Sequence, residues 1–347
     1  MKKTLVALAA LAATSAFAQS TVTISGVVDA NYKSAKTTFG DGGSRTLNSV
    51  GHSDQSTSNV TFKGVEDLGG GMKGLFLYEV DMSPIVGGSL TTQPDNKDQI
   101  QNGETYVGAE TAAGTIKLGS PNTPSLSVQA GRSPFGTKVG SGFGSTSGTG
   151  RVRTSGSIVY STPTFAGFTA TYSFTPAAAA KATPNYSTAV AEVKAVSDLG
   201  LAYANGPVAA GVSSYKQDGV NKSTNGFVSY TVGAAKVTYG FHSEEHLVTP
   251  TAATAPAVSL AAGKYTGNNL AVSYTIGQVD LLANVASLND KTTNNNDRKI
   301  TAVGAKYNLS KRTNVYGRIV NDKLDNVTGA TLNAKINTTV VGLAHSF

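Results

Sequence analysis

Apolar and polar residues alternate along much of the chain, in short segments separated by glycine-rich or polar stretches. The first such segment covers residues 21–33, and its apolar face carries Val22, Ile24, Val28, Ala30 and Tyr32. A period of two residues is that of a β-strand with one apolar and one polar face. Such a strand, about ten residues long, can cross a membrane when it is tilted. The pattern therefore predicts an all-β fold, and it suits membrane strands and soluble sandwich strands alike.

The same alternation recurs in sixteen segments: residues 21–33, 59–65, 72–81, 103–110, 115–119, 156–162, 168–174, 199–205, 208–216, 226–232, 236–242, 270–276, 279–288, 300–308, 314–320 and 336–347. Short turns alternate with long polar connections, and residues 40–54 and 82–102 are expected to be the first two loops. Outer-membrane barrels have this pattern of short periplasmic turns and long external loops. The sequence thus predicts one 16-stranded antiparallel transmembrane β-barrel.

Residues 120–153 form the third long connection and have a composition of their own. The stretch is rich in Gly and Ser and has no Asp or Glu, but it carries Arg132, Lys138, Arg151 and Arg153. A loop of this length between strands is usually functional or disordered. We predict that this third loop folds into the lumen of the barrel, where it narrows the pore and sets its charge.

The first 18 residues are predicted to be a secretory signal peptide. Lys2 and Lys3 precede the apolar run LVALAALAA, and Ala16-Phe17-Ala18 provides a cleavage site. The predicted mature chain, residues 19–347, lacks these two lysines and loses no acid, so the formal charge falls from +7 to +5. A mean hydropathy of −0.09 is too polar for a helical membrane protein. It suits a barrel, where only alternate residues meet lipid.

The composition argues against two other classes of function. The pI of about 9.3 would suit nucleic acid, but the basic residues do not gather in one patch, so no nucleic-acid partner is expected. A hydrolase needs a base such as His beside a nucleophile. The four histidines are scattered, and Glu244, Glu245 and His246 are expected to be a solvated part of an external loop. We expect no catalytic residues, no metal site, no cofactor and no enzymatic activity.

The last predicted strand has the sharpest local pattern. One of its faces carries Thr339, Val341, Leu343, His345 and the terminal Phe347. An apolar alternating strand at the end of an exported chain is best explained by pairing with the first strand, which removes the open edge of the sheet.

Several stretches resemble the general porins of Gram-negative outer membranes, particularly the neisserial and β-proteobacterial branch. These are TVTISGVVDANY, FKGVEDLGGGMKGLF, YVGAETAAGTIKLGS, SPFG, SIVYSTPTFAGFTATYSF, LSKRTNVYGR and VVGLAHSF. The resemblance implies a 16-stranded barrel, a homotrimer in outer-membrane lipid and lipopolysaccharide, and passive diffusion of ions and small polar solutes. Relatives often have a wall arginine where this chain has Ser120, and an acid in the inward loop, which this chain lacks.

The charge and width of the narrowest ring of a pore determine which solutes pass. Alternation and the third loop suggest these residues for the constriction: Lys63, Lys117, Arg132, Lys138, Arg151, Arg153, Glu79 and Asp81. Lys33, Lys73 and Asp29 are expected in the vestibule. Basic residues dominate this set, which predicts a preference for small anions and polar solutes.

Two other interpretations remain open from the sequence alone. A soluble all-β adhesin would also alternate, but it would not need a lipid-facing band of similar height on every strand. A substrate-specific outer-membrane channel for an anionic solute, such as an organic acid or phosphate, would have the same fold.

Overall fold

A single antiparallel sheet makes up most of the molecule. The computed structural model describes residues 20–85, 101–143, 153–177, 194–247, 262–292, 295–325 and 333–347. Its strands are β1 Thr21–Phe39, β2 Ser44–His52, β3 Asn59–Gly69, β4 Met72–Asp81, β5 Gln101–Thr111, β6 Gly114–Ser120, β7 Ser157–Ser161, β8 Phe168–Thr175, β9 Val196–Asn205, β10 Val208–Gln217, β11 Asn221–Val232, β12 Ala235–His246, β13 Gly263–Ile276, β14 Val279–Asp290, β15 Asp297–Asn308, β16 Thr313–Asp325 and β17 Ala334–Ser346. The predicted signal peptide and Arg151 lie outside the described residues.

The sheet closes on itself through its first and last strands. Residues 27–39 of β1 pair with β17 in an unbroken antiparallel register. The backbones of Gly26 and Phe347 exchange two hydrogen bonds of 3.1 and 3.0 Å. The predicted closure by the terminal strand is therefore confirmed, and no open edge remains at this seam.

The prediction that residues 40–54 form the first loop was wrong, because most of this stretch is strand β2. β1 is long enough to pair with two segments in succession, with β2 over Ala30–Thr38 and with β3 over Thr21–Val27. β2 and β3 share one place beside β1, so the 17 strands occupy 16 positions around the closed sheet. The predicted 16-stranded antiparallel barrel is confirmed.

The two faces of the sheet differ as alternation predicts. Val22, Ile24 and Tyr32 of β1 expose more than half of their surface, while Asp29 and Asn31 on the other face are buried. The exposed apolar face continues around the sheet, for example at Val107, Leu201, Val228, Leu270, Val303, Ile319 and Val341. Among the described residues, no helix is long and apolar enough to cross a membrane.

One short helix, α1 (Pro124–Gly131), follows β6 and begins the central segment, which we define as residues 121–143. The helix packs against β8, β9, β10 and β11. The rest of the central segment contacts β13, β14, β15 and β16. The segment thus follows the polar face of the closed sheet past strands far from β6 in the chain.

Candidate functional site

The start of the central segment is fixed by a cap and by one buried carboxylate. Thr123 Oγ1 accepts a hydrogen bond of 3.2 Å from the backbone N–H of Leu126, and Pro124 occupies the first turn, where its missing N–H costs nothing. Asp198 of β9 accepts bonds of 2.8 Å from both the backbone N–H and the hydroxyl of Ser125. These contacts hold α1 against the wall.

The helix lies so close to β9 that the strand needs a glycine there. A Cβ atom added to Gly200 would stand 2.6 Å from Cβ of Pro124. Real Cβ atoms do not approach each other so closely, so any side chain at this position would displace the helix. Gly200 therefore permits α1 to pack closely against β9 because it has no side chain, and not because its backbone adopts an unusual angle.

The middle of the central segment is fixed by Arg132 and Phe135. The guanidinium Nε donates to Asn269 Oδ1 on β13 at 3.0 Å, and the Asn269 amide donates to the Arg132 carbonyl at 2.5 Å. Arg132 is 3% exposed, and this burial lowers its pKa to about 10. Phe135 packs against Ile300, Ala302 and Val320. This part of the segment is therefore an anchor and not a solvated loop.

Arg318 of β16 joins the end of the central segment to the link between β2 and β3. One guanidinium nitrogen donates to the carbonyl oxygens of Val139 and Asp54, each at 2.7 Å. The guanidinium also stands 5.0 Å from the centre of the Phe135 ring, within cation–π range. A single arginine thus ties three parts of the chain together.

A cavity of 990 Å³ lies between the central segment and the sheet. Five cationic residues contribute to its lining, namely Lys138, Arg153, Lys236, Lys306 and Arg318. Three acidic residues also do so, Glu79, Asp81 and Asp280. Among the described lining residues the positive charges therefore exceed the negative ones by two.

Some of these charges are partly neutralised. Lys306 and Asp280 are 2.9 Å apart, and Arg153 is 3.9 Å from Asp81 while it donates to Asn122 at 3.0 Å. The Lys138 ammonium donates to the Thr57 hydroxyl at 2.5 Å. This bond is to a neutral group, and Lys138 forms no ion pair within 4.0 Å among the described residues.

The structure brings four of the predicted constriction residues together at this cavity: Lys138, Arg153, Glu79 and Asp81. Lys63 and Lys117 do not line it. Lys63 is exposed on β3, and Lys117 lies 3.8 Å from Glu104 and over the Tyr106 ring. Arg132 is also absent from the lining, because its side chain is buried against β13. The placement of Arg132 in the constriction is therefore corrected.

Two of the three predicted vestibule residues also have other positions. Asp29 is fully buried and accepts hydrogen bonds from the backbone N–H groups of Gln55 and Ser56 and from the Tyr316 hydroxyl. Lys73 pairs with Glu110 at 2.7 Å beside the short turns, at the opposite end of the strands from Lys33. Asp29 thus anchors the link between β2 and β3, and Lys73 lies at the end of the barrel that carries the short turns.

Lys33 is half-buried and pairs with Asp54 at 2.9 Å, on the side of the long connections. This pairing ties β1 to the link between β2 and β3. The assignment of Lys33 to the vestibule stays a prediction.

Sequence reasoning missed four charged residues of the cavity: Lys236, Asp280, Lys306 and Arg318. Their positions in the alternation carried the signal. Arg318, for example, points to the face opposite Val315, Gly317 and Ile319. Val315 and Ile319 are apolar and exposed. Alternation could identify the face of each residue, but not which residues at that face lie at the height of the central segment.

The acidic and histidine cluster near residue 244 is not a solvated loop, which corrects that expectation. His242, Glu244 and His246 lie on β12 and are each at most 3% exposed. The Glu244 carboxylate is 3.3 Å from His242 Nε2 and 2.9 Å from His246 Nε2. Within the part of the chain that the structure describes, no group of His, Asp and Glu is arranged to hold a metal ion.

Comparisons with known proteins agree with this architecture. Residues 4–327 match the family model described as Gram-negative porin. The outer membrane porin protein 32 of Delftia acidovorans is 28% identical over 333 residues, which cover 92% of this chain and 89% of that protein.

Solved structures are similar in fold. The anion-selective porin from Comamonas acidovorans has a TM-score of 0.72 at 22% identity, covering 95% of this chain and 100% of that one. A trimer form of OmpT, an outer membrane protein of Vibrio cholerae, has a TM-score of 0.64 at 12% identity, with coverage of 94% and 99%.

Proposed function

Because the chain belongs to the Gram-negative porin family, and is thus an outer-membrane porin, we propose that the cavity beside the central segment is the constriction of its water-filled pore. The contacts of the central segment with β8–β11 and β13–β16 support this proposal, since they lie on the face of the sheet opposite the exposed apolar band. A segment on that face narrows the space that the barrel encloses.

We propose that ions and small polar solutes diffuse passively through this pore with a preference for anions. The observation that carries the preference is the excess of cationic over acidic side chains in the cavity lining. The solved structure of a porin described as anion-selective has the same fold, which is consistent with this assignment.

The preference should be modest. In a wet pore two charges about 4 Å apart interact by about 1 kcal/mol, which corresponds to roughly a fivefold change in occupancy. Ion pairs such as Lys306–Asp280 reduce the net field, and salt screens the remainder. A chloride-to-potassium permeability ratio between about 2 and 10 is therefore expected.

The experiment is a reversal-potential measurement on the full-length pore in a planar bilayer with a potassium chloride gradient. The double variant K138Q/R153Q removes two cavity charges and should lower the permeability ratio at least about twofold. The matched control K63Q/K117Q removes two lysines that the sequence also suggested but that do not line the cavity.

Cation preference of the unmodified pore would refute the charge assignment. An equal fall in the ratio for both double variants would show that the cavity is not where selectivity arises. Saturation of the current by one organic acid or phosphate would favour the substrate-specific channel over general diffusion.

We further propose a homotrimer with its short turns in the periplasm and its long connections outside, with residues 1–18 removed on export. The trimer form of one solved relative in fold and the alternation of connection lengths support this arrangement. Gel electrophoresis tests the oligomer. An unboiled sample should show a high-mass band, and boiling should remove it.

A further inference from the structure

The link between β2 and β3, residues 53–58, is longer than its place in the sheet allows. The pairing of β2 with β1 ends at His52, opposite Ala30, and the pairing of β3 with β1 begins at Asn59, opposite Val27. Six residues of the link therefore stand against only two residues of β1. A regular antiparallel ladder sets one residue against one, so the surplus has to leave the plane of the sheet.

The link leaves the sheet on the inner side, where Asp29 of β1 holds it. Asp29 lies on the face of β1 opposite the exposed Tyr32. One oxygen of its carboxylate accepts hydrogen bonds of 2.7 and 2.9 Å from the backbone N–H groups of Gln55 and Ser56. The Asp29 backbone N–H and carbonyl also bond to the Ser58 hydroxyl. Bonds to an ionised acceptor are stronger than neutral ones, so this carboxylate fixes the link inside the barrel.

Strand β16 holds the link from a second side. The Tyr316 hydroxyl donates to the other carboxylate oxygen of Asp29 at 2.6 Å. The amide of Gln55 donates to Asn314 Oδ1 at 2.7 Å. Because β17 lies between β1 and β16 in the sheet, the link reaches across the inner face of the closing strand.

The link also contacts the end of the central segment. The Thr57 hydroxyl accepts the hydrogen bond of 2.5 Å from the Lys138 ammonium group. Arg318 donates from one nitrogen to the carbonyl of Asp54 in the link and to the carbonyl of Val139 in the central segment. The two inward parts of the chain are thus joined to each other, and one arginine fixes both.

The link faces the same cavity as the central segment. Gln55, Ser56 and Thr57 are half-buried and line it. Asp29 is fully buried, and Asp54 is buried and pairs with Lys33 at 2.9 Å. The link therefore presents hydroxyl and amide groups to the cavity and covers a carboxylate on the inner face of β1.

We propose that the link between β2 and β3 forms one side of the constriction, with Gln55 and Ser56 as specificity-determining residues and Asp29 as the residue that positions them. This inference rests on the proposed function of the cavity. Two joined segments, rather than the central segment alone, then set the width of the pore. The link offers neutral hydrogen-bonding groups to polar solutes and keeps the charge of Asp29 away from passing anions.

The chain contains no cysteine, so a single introduced thiol can be modified selectively. The variant S56C suits this test, because the hydrogen bond of Ser56 to Asp29 uses the backbone N–H and does not need the side chain. Conductance and the chloride-to-potassium permeability ratio are measured in a planar bilayer before and after modification. A methanethiosulfonate with a sulfonate group should lower the ratio about twofold or more, and one with a trimethylammonium group should raise it by a similar factor. Both should reduce the conductance, because they add bulk to the narrowest part of the pore.

The matched control is T46C on β2. Thr46 is exposed and opposes Lys36 of β1, on the face that carries Tyr32. The same two reagents should modify this thiol completely, as checked by intact mass, without changing the conductance or the permeability ratio.

The double variant D29N/S56C tests the positioning role. An amide has one accepting oxygen where a carboxylate has two, so Asn at position 29 cannot hold both the link and the Tyr316 hydroxyl. The change in the permeability ratio on modification should be at most half of that in S56C. This change is compared, and not the starting ratio, because D29N itself removes a charge. An undiminished change would show that Asp29 does not position the link.

Complete modification of S56C without a change in conductance or permeability ratio would overturn the proposal, and so would an equal change in T46C. This result needs no variant of Asp29, so the test stays decisive if D29N/S56C does not fold. The variant K138Q/R153Q separates the two proposals. If it lowers the permeability ratio while modified S56C does not, only the role of the link fails, whereas silence of both would place the constriction elsewhere.

Discussion

At the scale of single residues, charges on the polar face of the barrel have two different roles. Asp29 and Arg132 are buried and hold segments in place through hydrogen bonds with backbone or amide groups. Lys138 and Arg153 reach the cavity and contribute to its field. The sequence cannot separate these roles, because burial and hydrogen-bond partners depend on contacts between residues far apart in the chain.

Lys138 should make the selectivity of the pore dependent on pH. Burial lowers the pKa of its ammonium group, and the nearby carboxylates of Asp81, Asp29 and Asp54 oppose that shift only in part. Because a lowered pKa means that the charge is lost at a lower pH than usual, anion preference should begin to fall on the alkaline side before ordinary lysines titrate.

The measurement is the chloride-to-potassium permeability ratio as a function of pH, for the unmodified pore and for K138Q. The permeability ratio of the unmodified pore should fall early on the alkaline side, and the ratio of K138Q should not. Superposable curves for the two proteins would show that Lys138 does not titrate in the pore in this range.

At the scale of elements, the position of α1 depends on packing that has no local sequence signal. A cap and a proline explain why a helix begins at Pro124, but Asp198 and Gly200, more than 60 residues away, decide where it lies. The same limit applies to β2. Its larger apolar residues, Leu47 and Val50, are three apart and point to opposite faces, so a pattern of period two was not visible there.

Replacing Gly200 with valine should detach α1 from β9. The new side chain would collide with Pro124, and overpacking of this kind costs typically 1–3 kcal/mol. We expect a lower unfolding temperature in detergent and noisier single-channel currents, since the central segment would lose one of its anchors.

The control is Gly74→Ala on β4, where an added Cβ would have its nearest neighbours at 3.8 Å, an ordinary contact. That variant should behave like the unmodified pore. Quiet currents and an unchanged unfolding temperature for Gly200→Val would contradict the role assigned to this close packing.

At the scale of the whole molecule, closure of the sheet creates the enclosed space of the barrel. The ring of Phe347 lies over Gly26, where a Cβ would meet it at 2.5 Å, and the two backbones are hydrogen-bonded to each other. The terminal residue therefore seals the seam between β1 and β17 by packing as well as by pairing.

Deleting Phe347 should lower the yield of folded, heat-modifiable protein several-fold, because the seam loses a hydrogen-bonded pair and an aromatic contact. The control Phe165→Ala removes a similar ring that is 82% exposed in a turn, and it should fold normally. Normal assembly of the deletion variant would count against the sealing role of the terminal residue.

The sequence by itself determined the class of fold, the number of wall positions, the lipid-facing and lumen-facing sides of most strands and the closing of the last strand on the first. These properties follow from the alternation of apolar and polar residues with a period of two. This pattern is local, so it is visible in the sequence of one strand without knowing which strands pair with it. Only the tertiary structure decided which lumenal charges meet at one height, that Arg132 and Asp29 are buried, and that Lys236, Lys306 and Arg318 join the cavity. Those features depend on strand register and on the path of the central segment, which are set by contacts between residues far apart in the chain.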